Sequence, residues 1–154
     1  MSDNYVSLIT TGPTWQPTQQ AAAQAEAYIR SVFADPDGAQ EVTVAFYDRI
    51  TVVDAGENLE RITCPRCADE ISLAWYGDLI EQTEGEFDDL TVTVPCCAAT
   101  IGLETLRYDW PCGFARFEIA VLNPARAECE CRAEELSVVA ALLGHPVCQI
   151  LAHI

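Results

Sequence analysis

Four of the eight cysteines are spaced as ligands of a single metal ion. Cys64 and Cys67 are separated by two residues, and two thiolates at this spacing on a tight turn can chelate one tetrahedral ion. Cys96 and Cys97 follow after 28 intervening residues and close a second apolar segment. The sequence therefore predicts a structural Zn²⁺ site of the zinc-ribbon type, with all four cysteines as ligands. Such a closed site leaves no coordination position for a catalytic water.

The second cysteine pair is less typical of a zinc turn than the first, because its two cysteines are adjacent. Neighbouring side chains of a strand point to opposite faces, so both can bind one ion only if the turn rotates one of them. Cys97 is therefore the more strongly predicted ligand of this pair, and other residues could replace Cys96 as the fourth ligand. These are Cys112, Cys129, Cys131, Cys148 and His145.

The charge of the chain is strongly acidic, with 24 acidic residues against 8 basic ones, all of them arginine. Four thiolates around one dication would lower the formal net charge of −16 to about −18. This field repels phosphate backbones, so direct binding of DNA or RNA is not expected, and a protein partner with a basic surface is favoured. A coding bias toward arginine, alanine and acidic residues is an alternative cause of the acidity.

Motifs for common catalytic chemistries are absent from the sequence. It has no glycine-rich phosphate loop, no His-Glu-x-x-His pair and no Gly-x-Ser-x-Gly elbow. The expected function is a non-enzymatic, zinc-binding interaction protein, such as an adaptor or an immunity-like inhibitor of a basic protein. The alternatives are a thiol redox protein or sensor that uses the Cys-x-x-Cys pair, and an adaptor on transcription or translation machinery. With no membrane span or secretory signal in the sequence, we expect a cytoplasmic protein.

The hydrophobic pattern predicts an α+β protein with a β-α-β unit at each end of the chain. The expected units are 1–57 and 109–154, with a zinc-ribbon-like insertion at 58–108. The predicted elements are strands at 5–10, 41–54 (two strands meeting near Asp48), 90–94, 114–122 and 147–154, and helices at 17–34, 74–82 and 133–143. A split pair of βαβ units is typical of the ferredoxin-like fold, whose four strands form one antiparallel sheet with both helices on one face. No internal repeat is evident.

Other residues are given structural roles. The predicted insertion at 58–108, the cysteine module, is expected to pack against the main sheet through aromatic residues, because a ribbon alone buries little apolar surface. These residues are Trp75, Tyr76, Tyr108 and Trp110. The segment 83–89 is expected to be an acidic loop. Cys148 is expected to be a buried apolar residue rather than half of a Cys–His nucleophile pair. Cys129 and Cys131 lie in an acidic segment and are expected to be exposed.

The second half of the chain resembles an uncharacterised bacterial family that is common in actinobacteria. The resemblance lies in the Cys-Pro-x-Cys turn, the Pro-Cys-Cys pair, the Leu-x-x-Leu-x-Tyr stretch, and the GFARF and Asn-Pro motifs, and it covers about residues 60–154. It implies a zinc-ribbon-like module and no known activity. The family has glycine after the cysteine pair, where this chain has Ala98, and alanine disfavours the positive φ of a tight turn.

Overall fold

Two strands from each end of the chain form most of the main sheet. The computed structural model describes residues 4–34, 41–53, 59–110, 112–124 and 130–153. In chain order the elements are β1 (Asn4–Thr10), α1 (Gln19–Val32), β2 (Glu41–Val53), β3 (Ile62–Thr63), β4 (Glu70–Ile71), α2 (Leu73–Thr83), β5 (Glu86–Phe87), β6 (Thr91–Thr93), β7 (Thr100–Gly102), a 3₁₀ turn (Leu103–Thr105), β8 (Arg107–Tyr108), β9 (Gly113–Leu122), α3 (Ala133–Leu143) and β10 (Val147–His153). The expected α+β class is confirmed. None of the described helices is long and apolar enough to cross a membrane.

The main sheet has the strand order β10-β1-β9-β2-β5, and every neighbouring pair is antiparallel. Its central strands are the apolar runs recognised in the sequence. Leu8 of β1, for example, lies opposite Ile119 of β9 on one side and Gln149 of β10 on the other. The strands nearest the two chain ends are therefore sheet neighbours.

Helices α1 and α3 pack against each other and cover one face of this sheet. Helix α1 begins where Thr18 Oγ1 accepts the backbone N–H of Ala21 at 3.1 Å, as an N-cap residue does. Helix α3 ends at Gly144, whose φ of 83° is a conformation that glycine adopts without strain. The main core beneath the helices contains Val6, Leu8, Ala22, Ala25, Ile29, Phe33, Val42, Phe117, Ile119, Val121, Cys131, Val139 and Leu143.

A bulge in β2 bends the far end of the main sheet. Phe46 and Thr51 pair with Phe117 and Ala115, so four residues of β2 lie opposite a single residue of β9. The side-chain amide of Gln16 donates to two backbone carbonyl oxygens at the bulge, each at 2.9 Å. Bulges increase the local twist of a strand pair. The expectation of two strands meeting near Asp48 is therefore wrong, because residues 41–53 form one strand that this bulge interrupts.

Beyond the bulge, the β2–β9 pair contacts the sheet face that the helices leave uncovered. Val53 and Ala115 pack with Ile9 and Ile150 in a small apolar cluster. Alternation along β1 places Ile9 on the face opposite Leu8, which belongs to the main core. The bent part of the β2–β9 pair therefore covers part of the sheet face that the helices leave uncovered.

The cysteine module has a second apolar core that it shares with the bent end of the main sheet. It contains a three-stranded sheet of order β4-β3-β8 and the hairpin β6-β7. Ile50, Phe87 and Phe114 join this core from the main sheet. The module contributes Ile62, Cys64, Ile71, Tyr76, Leu90, Val94, Ile101, Leu103 and Leu106.

Aromatic residues of the module contact the main sheet as expected. The Tyr108 ring lies 5.9 Å from that of Tyr76 and 6.5 Å from that of Phe114. Trp75 packs on the edge of the same core, whereas Trp110 is 40% exposed.

Two expectations about local structure are wrong. The segment 83–89 is only partly an acidic loop, because Glu86 and Phe87 form β5 and pair with β2. Phe87 is 5% exposed in the second core and is not available to a partner. Cys131, expected to be exposed, is buried in the main core. Its backbone N–H donates to Gln149 Oε1 at 2.8 Å, and Gln149 Nε2 donates to its carbonyl oxygen at 3.0 Å. Cys129 lies outside the described residues.

Candidate metal centre

The first cysteine turn, residues 63–69, links β3 to β4. Its ends are closed by the Cys64 N–H, which donates to Asp69 O at 2.9 Å, and by the Ala68 N–H, which donates to Cys64 O at 3.0 Å. Ala68 has a φ of 65°, in the left-handed region. Within the same turn, the N–H of Arg66 points at Cys64 Sγ, at 3.4 Å. The turn therefore presents Cys64 as an acceptor supported by the backbone.

The second cysteine turn, residues 93–99, links β6 to β7 and repeats the backbone of the first. The Val94 N–H donates to Ala99 O and the Ala98 N–H donates to Val94 O, each at 3.0 Å. Ala98 has a φ of 59°. The residue after the cysteine pair does need a left-handed conformation, as the missing glycine suggested. The rotation of the chain at this turn also lets the adjacent Cys96 and Cys97 face one centre.

The two turns belong to a short internal repeat, so the expectation that the chain has no repeat is wrong. The segments ITCPRCADEISL (62–73) and VTVPCCAATIGL (92–103) align without gaps and share six of twelve residues. In this alignment Cys67 matches Cys97, whereas Cys64 matches Val94 and Cys96 matches Arg66. The displaced cysteine conceals the repeat, because the two segments do not share one cysteine pattern. The shared Pro, Cys, Ala and Ile residues were the available signal.

All four sulfur atoms meet at one place, since every pair of these atoms lies within 4.8 Å. The Sγ–Sγ distances are 3.4 Å between Cys67 and Cys96, 3.9 Å between Cys64 and Cys97, and 4.0 Å between Cys96 and Cys97. Ligands at the usual Zn–S distance on a tetrahedron are about 3.8 Å apart, whereas disulfide sulfurs are about 2.05 Å apart. The arrangement therefore has the dimensions of a four-thiolate metal site.

Burial and backbone donors make the four thiols unequal. Cys64 is fully buried and Cys97 is exposed, with Cys67 and Cys96 between them. The backbone N–H groups of Cys67 and Arg66 stabilise the Cys64 thiolate and lower its pKa to about 7. Burial and the neighbouring thiols raise the pKa of Cys96 to about 12. A bound dication compensates such crowding of negative charge, since coordinated thiols are deprotonated outright.

The four cysteines could hold a metal ion, and their chemistry restricts which one. An all-sulfur tetrahedral set suits Zn²⁺ or iron and does not suit Mg²⁺ or Ca²⁺, which take oxygen ligands. A metal ion held by all four cysteines would keep no open coordination position.

The other candidate ligands lie elsewhere. Cys112 Sγ is 3.2 Å from the hydroxyl of Tyr76, and Cys131 is in the main core. Cys148 is half-buried beside Ile9 and Ile150, and burial raises the pKa of its thiol. The His145 ring stacks on Trp15 at 4.4 Å, and its Nδ1 is 2.8 Å from Pro146 O. No other group of three or more ligand residues converges within the described part of the chain.

No family model matches the chain, and no curated protein or solved structure matches it. The resemblance to the bacterial family therefore stays a prediction.

Proposed function

We propose that the chain is a non-enzymatic interaction protein, stabilised by one structural Zn²⁺ and directed to a basic protein partner. The observation that carries the metal part is the convergence of four cysteine sulfurs within 4.8 Å. Two turns with the same backbone hydrogen bonds supply these sulfurs, as in a zinc ribbon. Zinc is preferred to iron because a structural site needs no redox chemistry.

We also infer that the main sheet is a ferredoxin-like core into which the cysteine module is inserted. The supporting observations are the order β10-β1-β9-β2, its antiparallel pairing, and the contact between α1 and α3 on one face. These are the features of a split βαβ pair. In this arrangement the module lies between the second and third core strands and lengthens their connection.

The acidic character of the chain is concentrated around the metal centre. Residues 59–110 carry eleven carboxylates and three arginines. Arg61 pairs with Glu70 at 3.0 Å. On α2, the exposed Asp78 and Glu81 form no ion pair within the described residues, and Leu73, the first residue of the same helix, is 42% exposed. An acidic surface with an apolar anchor is complementary to a basic protein surface.

Metal analysis of the chain purified without chelator tests the zinc centre. We expect one zinc per chain, and we expect the four ligand thiols to react only after denaturation, as buried Cys131 also does. The Cys148→Ser variant is the matched control, and it should keep its zinc while losing one thiol outside the protected set. A folded, metal-free protein whose Cys64 and Cys67 react at once would contradict the proposal.

Binding to the partner is tested separately, by capture from the host followed by titration with the purified basic protein. Raising the ionic strength from about 0.1 M to about 1 M shortens the Debye length from about 10 Å to about 3 Å. We therefore expect the affinity to fall steeply with salt, and further in the Asp78→Asn/Glu81→Gln variant. Affinity that is independent of salt and of these carboxylates would refute the acidic surface as the binding determinant.

A thiol redox protein is the second candidate, favoured by the 3.4 Å approach of Cys67 and Cys96 sulfurs and by the exposure of Cys97. A dithiol redox pair commonly sits at a helix N-terminus, where the thiolate is stabilised. Here the Cys64–Cys67 turn leads into β4 instead. Reversible formation of a Cys67–Cys96 disulfide in the zinc-loaded protein would favour this candidate.

A further inference from the structure

A cavity of about 330 Å³ lies on the sheet face that the helices leave uncovered. Tyr5 and Ser7 of β1 line it together with Glu118 of β9. Val52 and Val53, beyond the β2 bulge, form its facing wall. The cavity therefore results from the bend of the β2–β9 pair over its own sheet, and it is separate from the four cysteines.

The polar group that distinguishes this cavity is the carboxylate of Glu118. Its Oε1 accepts the hydroxyl of Tyr47 at 2.6 Å. Burial and the adjacent Glu118 carboxylate raise the pKa of Tyr47, so this hydroxyl remains a donor at neutral pH. Arg116, two residues along the same strand, donates its Nε to Tyr47 O at 3.1 Å instead of pairing with Glu118. Glu118 forms no ion pair within the described residues.

The remaining walls of the cavity are apolar or neutral. Val52, Val53, Ala120 and Ala152 supply aliphatic surface, Tyr5 supplies an aromatic ring and Ser7 a hydroxyl. Among the described residues no arginine lines the cavity, and the chain contains no lysine. The one carboxylate that these described residues supply, set among apolar walls and an aromatic ring, suits a cation on an apolar stem and opposes phosphates and carboxylates.

We propose that this cavity binds an organic ammonium group carried on a short aliphatic chain. The ammonium contacts Glu118 and the Tyr5 ring, and the aliphatic part lies against Val52, Val53 and Ala152. The hydrogen bond from Tyr47 holds the carboxylate in place before binding. A volume of about 330 Å³ is at the lower end of ligand sites, so the fitting ligand is small. The ammonium group can belong to a free amine or to a lysine side chain.

Titration of the full, zinc-supplied chain with n-butylammonium, followed by amide NMR, tests this proposal. We expect saturable shifts around Ser7, Glu118 and Ala120, and none with the neutral analogue 1-butanol. Removing the charge with Glu118→Gln should weaken binding about tenfold or more, the loss expected for one charge-assisted hydrogen bond. The matched control Glu134→Gln changes an exposed carboxylate on α3, away from the cavity, and should bind normally.

The Ala120→Leu variant fills the cavity without changing its charge and should also abolish binding. It tests the proposal independently if Glu118→Gln disturbs the fold. N-acetyl-lysine methylamide distinguishes the two sources of the ammonium group. Tighter binding than n-butylammonium indicates a lysine side chain of a protein, and equal or weaker binding indicates a free amine. Equal shifts with 1-butanol, unchanged affinity of Glu118→Gln, or no shifts in the cavity would each overturn the proposal. None of these results depends on the identity of the metal.

Discussion

The first and second cysteine turns have the same backbone but present their thiols from different positions. Both are closed by the same pair of backbone hydrogen bonds, and both place an alanine at positive φ. In the first turn the cysteines hold the first and fourth positions, whereas in the second they hold the third and fourth. The backbone of the turn therefore determines the direction of each side chain, and the two turns differ in which of these positions is a cysteine.

The difference changes the surroundings of one ligand in each turn. Cys64 occupies a fully buried position and accepts an N–H from its own turn. Its counterpart Val94 is also fully buried and belongs to the second apolar core. The second turn thus uses the inner position for packing and moves the thiol outward, to Cys96. In the first turn, Cys64 both packs in the second apolar core and is a candidate metal ligand. In the second turn these two roles belong to different residues, Val94 and Cys96.

Removing the thiol at the one position that the turns share should have the largest effect. Cys67→Ser and Cys97→Ser each leave three sulfurs, and we expect both to lower zinc affinity by more than about 100-fold, the upper range for changes outside the ligand set. Because metal binding is coupled to folding, amide protection in β3, β4, β6 and β7 should fall while the main sheet keeps its protection. Chelator competition and hydrogen exchange measure the two effects.

The comparison would fail if the two serine variants differed strongly from each other. Cys112→Ser serves as the control, because that thiol contacts Tyr76 and lies outside the cluster. It should keep one zinc per chain.

Moving the displaced thiol back should rescue the centre. Cys96→Ser alone is expected to lose zinc, and Val94→Cys added to it should restore one zinc per chain, because position 94 matches that of Cys64. Valine to cysteine removes little volume, so the packing cost is expected to be about 0.5–1.5 kcal/mol. Metal content and thermal unfolding measure both effects. A double variant that folds but binds no zinc would show that the two turns are not equivalent.

Much of this centre could be predicted from the sequence, because ligand spacing is a local property. The Cys64–Cys67 turn and the apolar segment before each cysteine pair can be recognised from neighbouring residues alone. The burial of Phe87 and Cys131 could not be predicted in this way, since each depends on a partner far along the chain. Phe87 pairs with Ile50, and Cys131 is held by Gln149. The bend at the β2 bulge, and with it the cavity at Glu118, depends on the packing of Val53 against Ile9.

Relieving backbone strain should have a smaller effect, of opposite sign. Ala68→Gly and Ala98→Gly place glycine at a φ of 65° and 59°, where an L-residue has a cost of about 1–2 kcal/mol. After the extra flexibility of the unfolded chain is subtracted, we expect each change to stabilise the module by up to about 1 kcal/mol. The neighbouring Ala99→Gly is the control and should destabilise it, since Ala99 lacks a positive φ. Denaturant unfolding of the zinc-loaded variants measures the three changes.

The smallest expected effect concerns a support that the first turn receives from the third strand of its sheet, β8. The three-stranded sheet brings Asp109 to the segment before β3, where its carboxylate accepts the Glu60 N–H at 3.1 Å and the Trp110 N–H at 2.9 Å. Burial alone would raise the pKa of Asp109, but N–H donors from Arg61, Glu60 and Trp110 outweigh it, so the pKa lies below the ordinary 3.8. A carboxyl with a lowered pKa stabilises the fold above its unfolded-state pKa, and this contribution disappears as the pH falls through the folded-state value.

Asp109→Asn should therefore speed hydrogen exchange at β3 and β8 at pH 7 and leave β6 and β7 unchanged. The difference from the native chain should begin to shrink below a pH of about 4, where the unfolded-state carboxyl becomes protonated, and should disappear once the folded-state carboxyl is protonated too. Equal acceleration in both turns would mean that the whole module opens as one unit. In that case the first turn would gain no separate support from the third strand, and the asymmetry between the turns would be confined to their cysteines.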